Sequence, residues 1–300
     1  MNSRNVVLIV VALVLVSFCA KAQINILNAA SPEDIGKKTE AQISYDNDNP
    51  FPYGYVDERD VLWSKTTWEI IDLDERVNFA LYYPIDPNNI GSERRSLYDV
   101  LVKNINNGSI TDVYADSYFQ EKRSLGDLDA SLVYRDTTDL GIDQYNAGEA
   151  VESQYIREFT LDAGDIEEWR IRGYWYLDKR QGELKYRLLG ICPVAGEARS
   201  KAFEDDGLDN KVELFWVYFP GARNVLHQAK AFNRKNTSQP ISFDHLLNSR
   251  RFHGVVYKED NVQGDRGVND YINDNALMQL MESERIHDAI RNIEIDLWNY

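Results

Sequence analysis

The chain has 300 residues, 49 of them acidic and 33 basic, for a formal net charge of −16. A surface of that sign repels nucleic acid and anionic lipid headgroups, which excludes both as partners. With 43% hydrophobic and 12% aromatic residues it can bury a core for one large domain or two small ones, while two cysteines are too few for a disulfide framework.

Arg4 precedes an unbroken apolar run over residues 6–16, and Ala20-Lys21-Ala22 follows as a small-residue cleavage site. This pattern predicts a signal peptide over 1–22, a mature start at Gln23 and an exported protein. The run falls short of the ~20 residues of a spanning helix, so no direct membrane insertion is expected. Cys19 is preceded by Phe18, where a lipid-modification site wants a small residue, so it leaves with the signal peptide. Cys192 then stands alone between Ile191 and Pro193 and reads as a buried small hydrophobe.

Residues 23–56 are polar and aperiodic and read as an extended arm. Asp46 and Asp48 resemble the start of a calcium loop, but Phe51 stands where Gly is needed. In residues 59–84, apolar positions at Trp63, Thr67, Ile70, Ile71, Leu73 and Val77 suggest a helix, and residues 79–83 a short strand ended by Pro84. A second helix is expected over 92–108, capped by Ser92 or Ser96, striped by Leu97, Leu101 and Ile105, and stopped at Asn107-Gly108. Residues 110–115 read as a strand and 135–153 as a linker.

Residues 156–194 carry β patterning, with a hairpin turn at Lys179-Arg180-Gln181-Gly182. Residues 212–219 form an apolar run that reads as a strand buried on both faces and ended by Pro220-Gly221. A short helix over 243–251 and a strand over 254–258 follow. The last helix shows Ile286, Ala289, Ile290, Ile293 and Leu297 at helical spacing. An offset stripe of Leu277, Leu280 and Met281 predicts a break near Ser283. The whole is an α+β chain with a mixed or antiparallel sheet, several flanking helices and an extended N-terminal arm. Its halves, 57–134 and 154–300, either stand apart or share one domain.

Motifs for chemistry are absent. The four histidines form no i, i+4 pair, and no phosphate loop, nucleophile elbow or dinucleotide fingerprint occurs, so no catalytic residue, metal or cofactor is expected. Carboxylates cluster at Asp162, Asp165, Glu167 and Glu168, and again over 204–210, where calcium is conceivable but a solvated turn is commoner. Six Trp and eighteen Tyr suit a core, an interface or sugar stacking.

Pro52-Tyr53-Gly54-Tyr55, Arg59-Asp60-Val61-Leu62-Trp63-Ser64-Lys65, Trp68-Glu69, Ile71-Asp72 and Leu81-Tyr82-Tyr83-Pro84 together resemble the gliding-motility N protein family (GldN/PorN) of Bacteroidetes. Gly173-Tyr174-Trp175-Tyr176, Leu188-Leu189-Gly190-Ile191 and Phe215-Trp216 extend the likeness over residues 45–295. The resemblance implies a non-enzymatic periplasmic component of the type IX secretion and gliding machinery. It implies self-association in rings with an outer-membrane lipoprotein, the K component, and contact with the L/M inner-membrane motor complex. It transfers no ligand residues. From the aromatic block, Trp63, Trp68, Tyr82 and Tyr83 are the candidate partner interface. The competing reading is an exported carbohydrate-binding protein or hydrolase using Asp165 or Glu168.

Overall fold

The computed structural model describes residue 44 and residues 48–86, 88, 94–203, 211–236, 240–273 and 275–298. The expected signal peptide, most of the arm and the acidic cluster over 204–210 lie outside the described residues. Pro50–Tyr300 forms one compact unit, and it alone is described below.

In chain order the strands are β1 Val61–Asp72, β2 Val113–Tyr114, β3 Val133–Thr137, β4 Ile156–Thr160, β5 Ile166–Asp178, β6 Glu183–Ala195, β7 Val212–Glu213, β8 Trp216–Tyr218, β9 Lys230–Ala231, β10 Ile241–Ser242 and β11 Val255–Glu259. The helices are α1 Phe79–Tyr82, α2 Leu97–Asn106, α3 Leu125–Leu132, α4 Asp139–Asn146, α5 Ala198–Phe203, α6 Phe219–Gln228, α7 Phe243–Asn248, α8 Val268–Tyr271 and α9 Ala276–Trp298. The main sheet runs β11-β1-β5-β6-β8-β2, with β7 also on β6, and its pairings are antiparallel. The α+β class read from the sequence is the one that forms. Strands from both 57–134 and 154–300 enter this one sheet.

β1 corrects the helix expected at its position. Seven of its twelve residues are β-branched or aromatic, and such side chains fit a pleated surface. It lies between β11 and β5, and Thr66, Thr67, Trp68 and Glu69 are all buried. A strand covered on both faces loses its period-2 signal, which let chance apolar spacing mimic a helix. The order is thus strand then helix: residues 79–82 form the single turn α1, and Tyr83 follows in extended conformation.

The β5–β6 hairpin is the spine, pairing from Ile166↔Ala195 to Asp178↔Glu183. Its turn ends on Gly182, whose φ of 63° favours glycine. Cys192 on β6 is fully buried, and burial pushes its thiol up. Helix α2 matches its sequence pattern: the Ser96 hydroxyl accepts from the Asp99 amide, and Leu97, Leu101 and Ile105 enter the core.

Three further expectations change. Residues 135–153 carry most of β3 and all of α4, and β3 pairs with β4 in a two-stranded sheet. The run 212–219 is not one strand. β7 and β8 flank a break at Leu214-Phe215, and Pro220 opens α6 instead of ending a strand, as its fixed φ allows in a first helical turn. Helix α9 is continuous through Ser283. The Ser283 hydroxyl is buried and accepts from the Val256 amide at 2.9 Å, so the polar residue docks the helix on β11.

Candidate interaction surface

Trp63 and Trp68 are five apart on β1, so strand alternation sends them to opposite faces of the sheet. Trp63 is half-buried and packs against Val256, Val268, Ile286 and Ile290, under α9. Trp68 is 1% exposed and packs with Cys192, Val194 and Trp216.

The Trp68 ring also carries two cations, the Arg172 guanidinium at 5.1 Å and the Lys258 ammonium at 4.6 Å. Tyr118 closes the cluster, its ring 5.7 Å from Trp68. Arg172 donates to the Ser117 carbonyl at 2.8 Å, Lys258 to the Tyr118 hydroxyl at 2.9 Å, and that hydroxyl to Asp265 at 2.9 Å. Burial draws the Arg172 guanidinium below its ordinary value, and the flanking rings supply the attraction that keeps a cation there. The cluster clamps the loop before Gln120 onto the sheet. Phe119, at φ 61°, reaches over Gly190, where a Cβ would lie 2.5 Å from its ring.

Tyr82 and Tyr83 reach the other environment. Tyr82 is half-buried and donates to the Gly164 carbonyl at 3.2 Å. Tyr83 is 47% exposed. The single turn of α1 brings Phe79 beside it at 5.3 Å, and Tyr82 lies 4.8 Å away, both edge-on. Val77, Phe79 and Ile85 are exposed as well. Burial, then Tyr83, Asp74 and Asp165, push the Tyr82 hydroxyl up, so carboxylates border this aromatic surface. Sequence reasoning missed Val77, Phe79 and Ile85. The i, i+4 spacing of Phe79 and Tyr83 was the available signal, hidden by reading the stretch as a strand.

The carboxylates weighed for chemistry are held by cations. Lys201 lies 3.3 Å from Asp162 and 2.6 Å from Asp165. Lys211 lies 3.2 Å from Glu167 and 3.0 Å from Glu168. Arg170 bridges Glu168 and Glu213 at 3.2 and 2.7 Å. Among the described residues no group of three or more His, Cys, Asp or Glu is placed to hold a metal ion. An apolar cleft lined by Ile105, Val113, Leu125 and Leu128 has Arg123 as its charged residue, and that guanidinium donates to the Leu214 carbonyl at 2.7 Å.

The profile of the family described as "Gliding motility associated protein GldN" matches residues 56–299. The chain belongs to the GldN family. The match begins just before β1 and runs through the whole of α9, so it takes in the entire sheet. Among curated proteins none matches the chain. In this GldN-family chain no helix among the described residues is long and apolar enough to cross a membrane.

Proposed function

We propose that this chain is a non-enzymatic structural subunit of the type IX secretion and gliding machinery. In this reading it is exported to the periplasm and held at the inner face of the outer membrane by a lipoprotein, with which it builds rings. It also meets the inner-membrane motor complex. The observation that carries the reading is membership of the GldN family across the entire folded unit. Two features agree with it: the buried charges are spent on internal ion pairs, and the exposed aromatics gather at Val77, Phe79, Tyr83 and Ile85. Phe and Tyr in such a patch are the residue types that anchor interfaces. Of Trp63, Trp68, Tyr82 and Tyr83, the reading keeps Tyr83 with half-buried Tyr82 as the accessible part of the surface, while Trp63 and Trp68 pack inward on opposite faces of β1.

Co-expression with an outer-membrane lipoprotein of the same machinery, followed by affinity capture and electron microscopy, tests the reading. A very large annular particle is expected, weakened by Phe79→Ala with Tyr83→Ala. A chain that stays monomeric and passes through without the lipoprotein would overturn it. The carbohydrate or hydrolase reading gains nothing from the fold, since Asp165 and Glu168 each face a lysine.

A further inference from the structure

Before β1 the chain runs past the β5–β6 hairpin as a strap over residues 51–55. Among the described residues no main-chain hydrogen bond ties this strap to another segment. Side chains hold it instead. Arg180 donates to the Tyr55 carbonyl at 2.9 Å and Arg187 to the Gly54 carbonyl at 3.1 Å. The Tyr53 ring enters a socket beside two guanidinium groups, Arg223 of α6 at 4.1 Å and Arg187 of β6 at 4.7 Å, both close enough for cation–π attraction. Its hydroxyl donates to the Asn248 side chain of α7 at 2.7 Å. Phe51 is 88% exposed and Tyr55 80%, so of residues 51–55 Tyr53 alone is inserted.

The socket is braced independently of its occupant. Arg223 donates to both Asp244 oxygens, at 2.8 and 3.2 Å, and the Asn248 amide donates to Asp244 at 2.8 Å. These bonds leave the Asn248 oxygen as the acceptor that meets the Tyr53 hydroxyl. Burial, outweighing Arg223, pushes that hydroxyl up to about 12, so it stays a neutral donor. Arg187 is different. It meets no carboxylate; its partners are the Gly54 carbonyl and the Tyr176 hydroxyl at 3.5 Å. Gly54 is exposed, and a Cβ there would meet nothing within 4 Å. A longer residue at that position has open space next to an unneutralised guanidinium.

We propose that this socket is a peptide site which the chain's own Tyr53 occupies in cis, and that its partner is an extended acidic segment of another protein carrying Tyr-Glu or Tyr-Asp. The partner's tyrosine replaces Tyr53 beside Arg223, with its hydroxyl on Asn248. The carboxylate that follows it pairs with Arg187, where the strap offers only a carbonyl. Charge-assisted bonds of this kind are the stronger ones. β6 gives the segment a place to lie. On the side where β8 and β7 pair with it, the pairing starts at Gly190, and residues 183–189 have no strand beside them among the described residues. A second copy competes poorly, since its strap brings no carboxylate and the tethered strap acts at an effective concentration on the order of mM. The strap thus sets a threshold that only a segment gaining the extra ion pair passes. The inference goes beyond the assembly reading and does not rest on it.

Labelled peptides titrated onto the purified mature chain and followed by fluorescence anisotropy test this. One peptide copies residues 50–57, and the second carries Gly54→Glu within that copy. Tyr53→Ser empties the socket in the chain. The Gly54→Glu peptide should bind this variant saturably, about threefold or more tighter than the plain copy at low salt, with the gain lost at high salt. The wild-type chain should bind either peptide about tenfold more weakly, because Tyr53 competes. Adding Arg187→Met to the emptied chain should make the two peptides equal. Equal urea midpoints check the fold, and Tyr53→Phe, which keeps the ring and drops the hydroxyl bond, takes its place if Tyr53→Ser fails that check. No saturable binding at about 1 mM peptide, a wild-type chain that binds as tightly as the emptied one, or a Gly54→Glu gain that survives Arg187→Met would overturn the proposal. None of those results bears on capture by the lipoprotein, so the two readings fail separately.

Discussion

Glu69 and Arg250 stand 181 residues apart in sequence and meet in the core. Arg250 donates to both carboxylate oxygens, at 3.0 and 2.7 Å. The Glu69 side chain is 1% exposed, and the guanidinium lies 4.4 Å from the Tyr186 ring and 5.1 Å from Trp175. Arg250→Ala strands a buried carboxylate whose remaining contact is the Thr67 hydroxyl at 3.4 Å. At an effective dielectric of about 20, the lost attraction is roughly 4 kcal/mol, and deleting one partner of a buried pair costs about 3–5 kcal/mol. For a unit of this size that lowers Tm on the order of 10 °C. Arg250 also has φ 50°, so Arg250→Gly should be about 1 kcal/mol milder than Ala by removing left-handed strain. Glu69→Leu with Arg250→Met should recover most of the loss, since an apolar pair avoids desolvating two charges. Urea unfolding of the two single variants and the double gives the coupling directly. A loss under about 1 kcal/mol for Arg250→Ala, or single effects that simply add, would refute the reasoning.

The two ends of the aromatic block should behave oppositely. Trp68→Ala empties a fully buried site beneath two cations and should cost about 3–5 kcal/mol in urea unfolding, whereas Tyr83→Ala should leave stability within about 0.5 kcal/mol while weakening capture by the lipoprotein. Gly173→Ala places a Cβ 2.2–2.5 Å from the Tyr186 ring. That ring cannot swing away, because Trp175 and Arg250 flank it and its hydroxyl is sealed from solvent; a loss of about 1–3 kcal/mol is expected by calorimetry. On acidification, three carboxylates should release stability. The Ser124 hydroxyl and amide hold Asp127 low, and Arg285 holds Glu282 low. At Asp178 burial pushes upward and the bonds from Arg180 outweigh it. A folded pKa below the unfolded one gives stability that is present above about pH 4 and lost as pH falls through the depressed values. Asp99 has the opposite sign, since burial raises it and one of its oxygens lacks a partner. Asp99→Asn should therefore raise the urea midpoint at neutral pH and do less in acid; an equal effect at both would count against this account.

Local chemistry was enough for much of the fold. Ser96 and the Leu97, Leu101, Ile105 stripe specify α2 with no help from neighbours. Lys179 to Gly182 closes the β5–β6 hairpin through a residue that tolerates positive φ, and Cys192 is buried where its apolar flanks place it. The order of aromatic blocks carried the family. The identity of β1 was not legible, because a strand covered on both faces shows no alternation, and only its partners β5 and β11 impose the extended form. The same holds for the candidate surface. Trp68 and Tyr83 are similar aromatic residues in one block, yet sheet pairing seals the first under Arg172 and Lys258, and the turn of α1 leaves the second in solvent. Glu69 reads as one more acid until Arg250 arrives from 181 residues away. Composition and local spacing thus determined the class, the caps and the turns. Which aromatics face outward and which charges are paired was decided by long-range contacts, since burial depends on what the chain brings back from elsewhere.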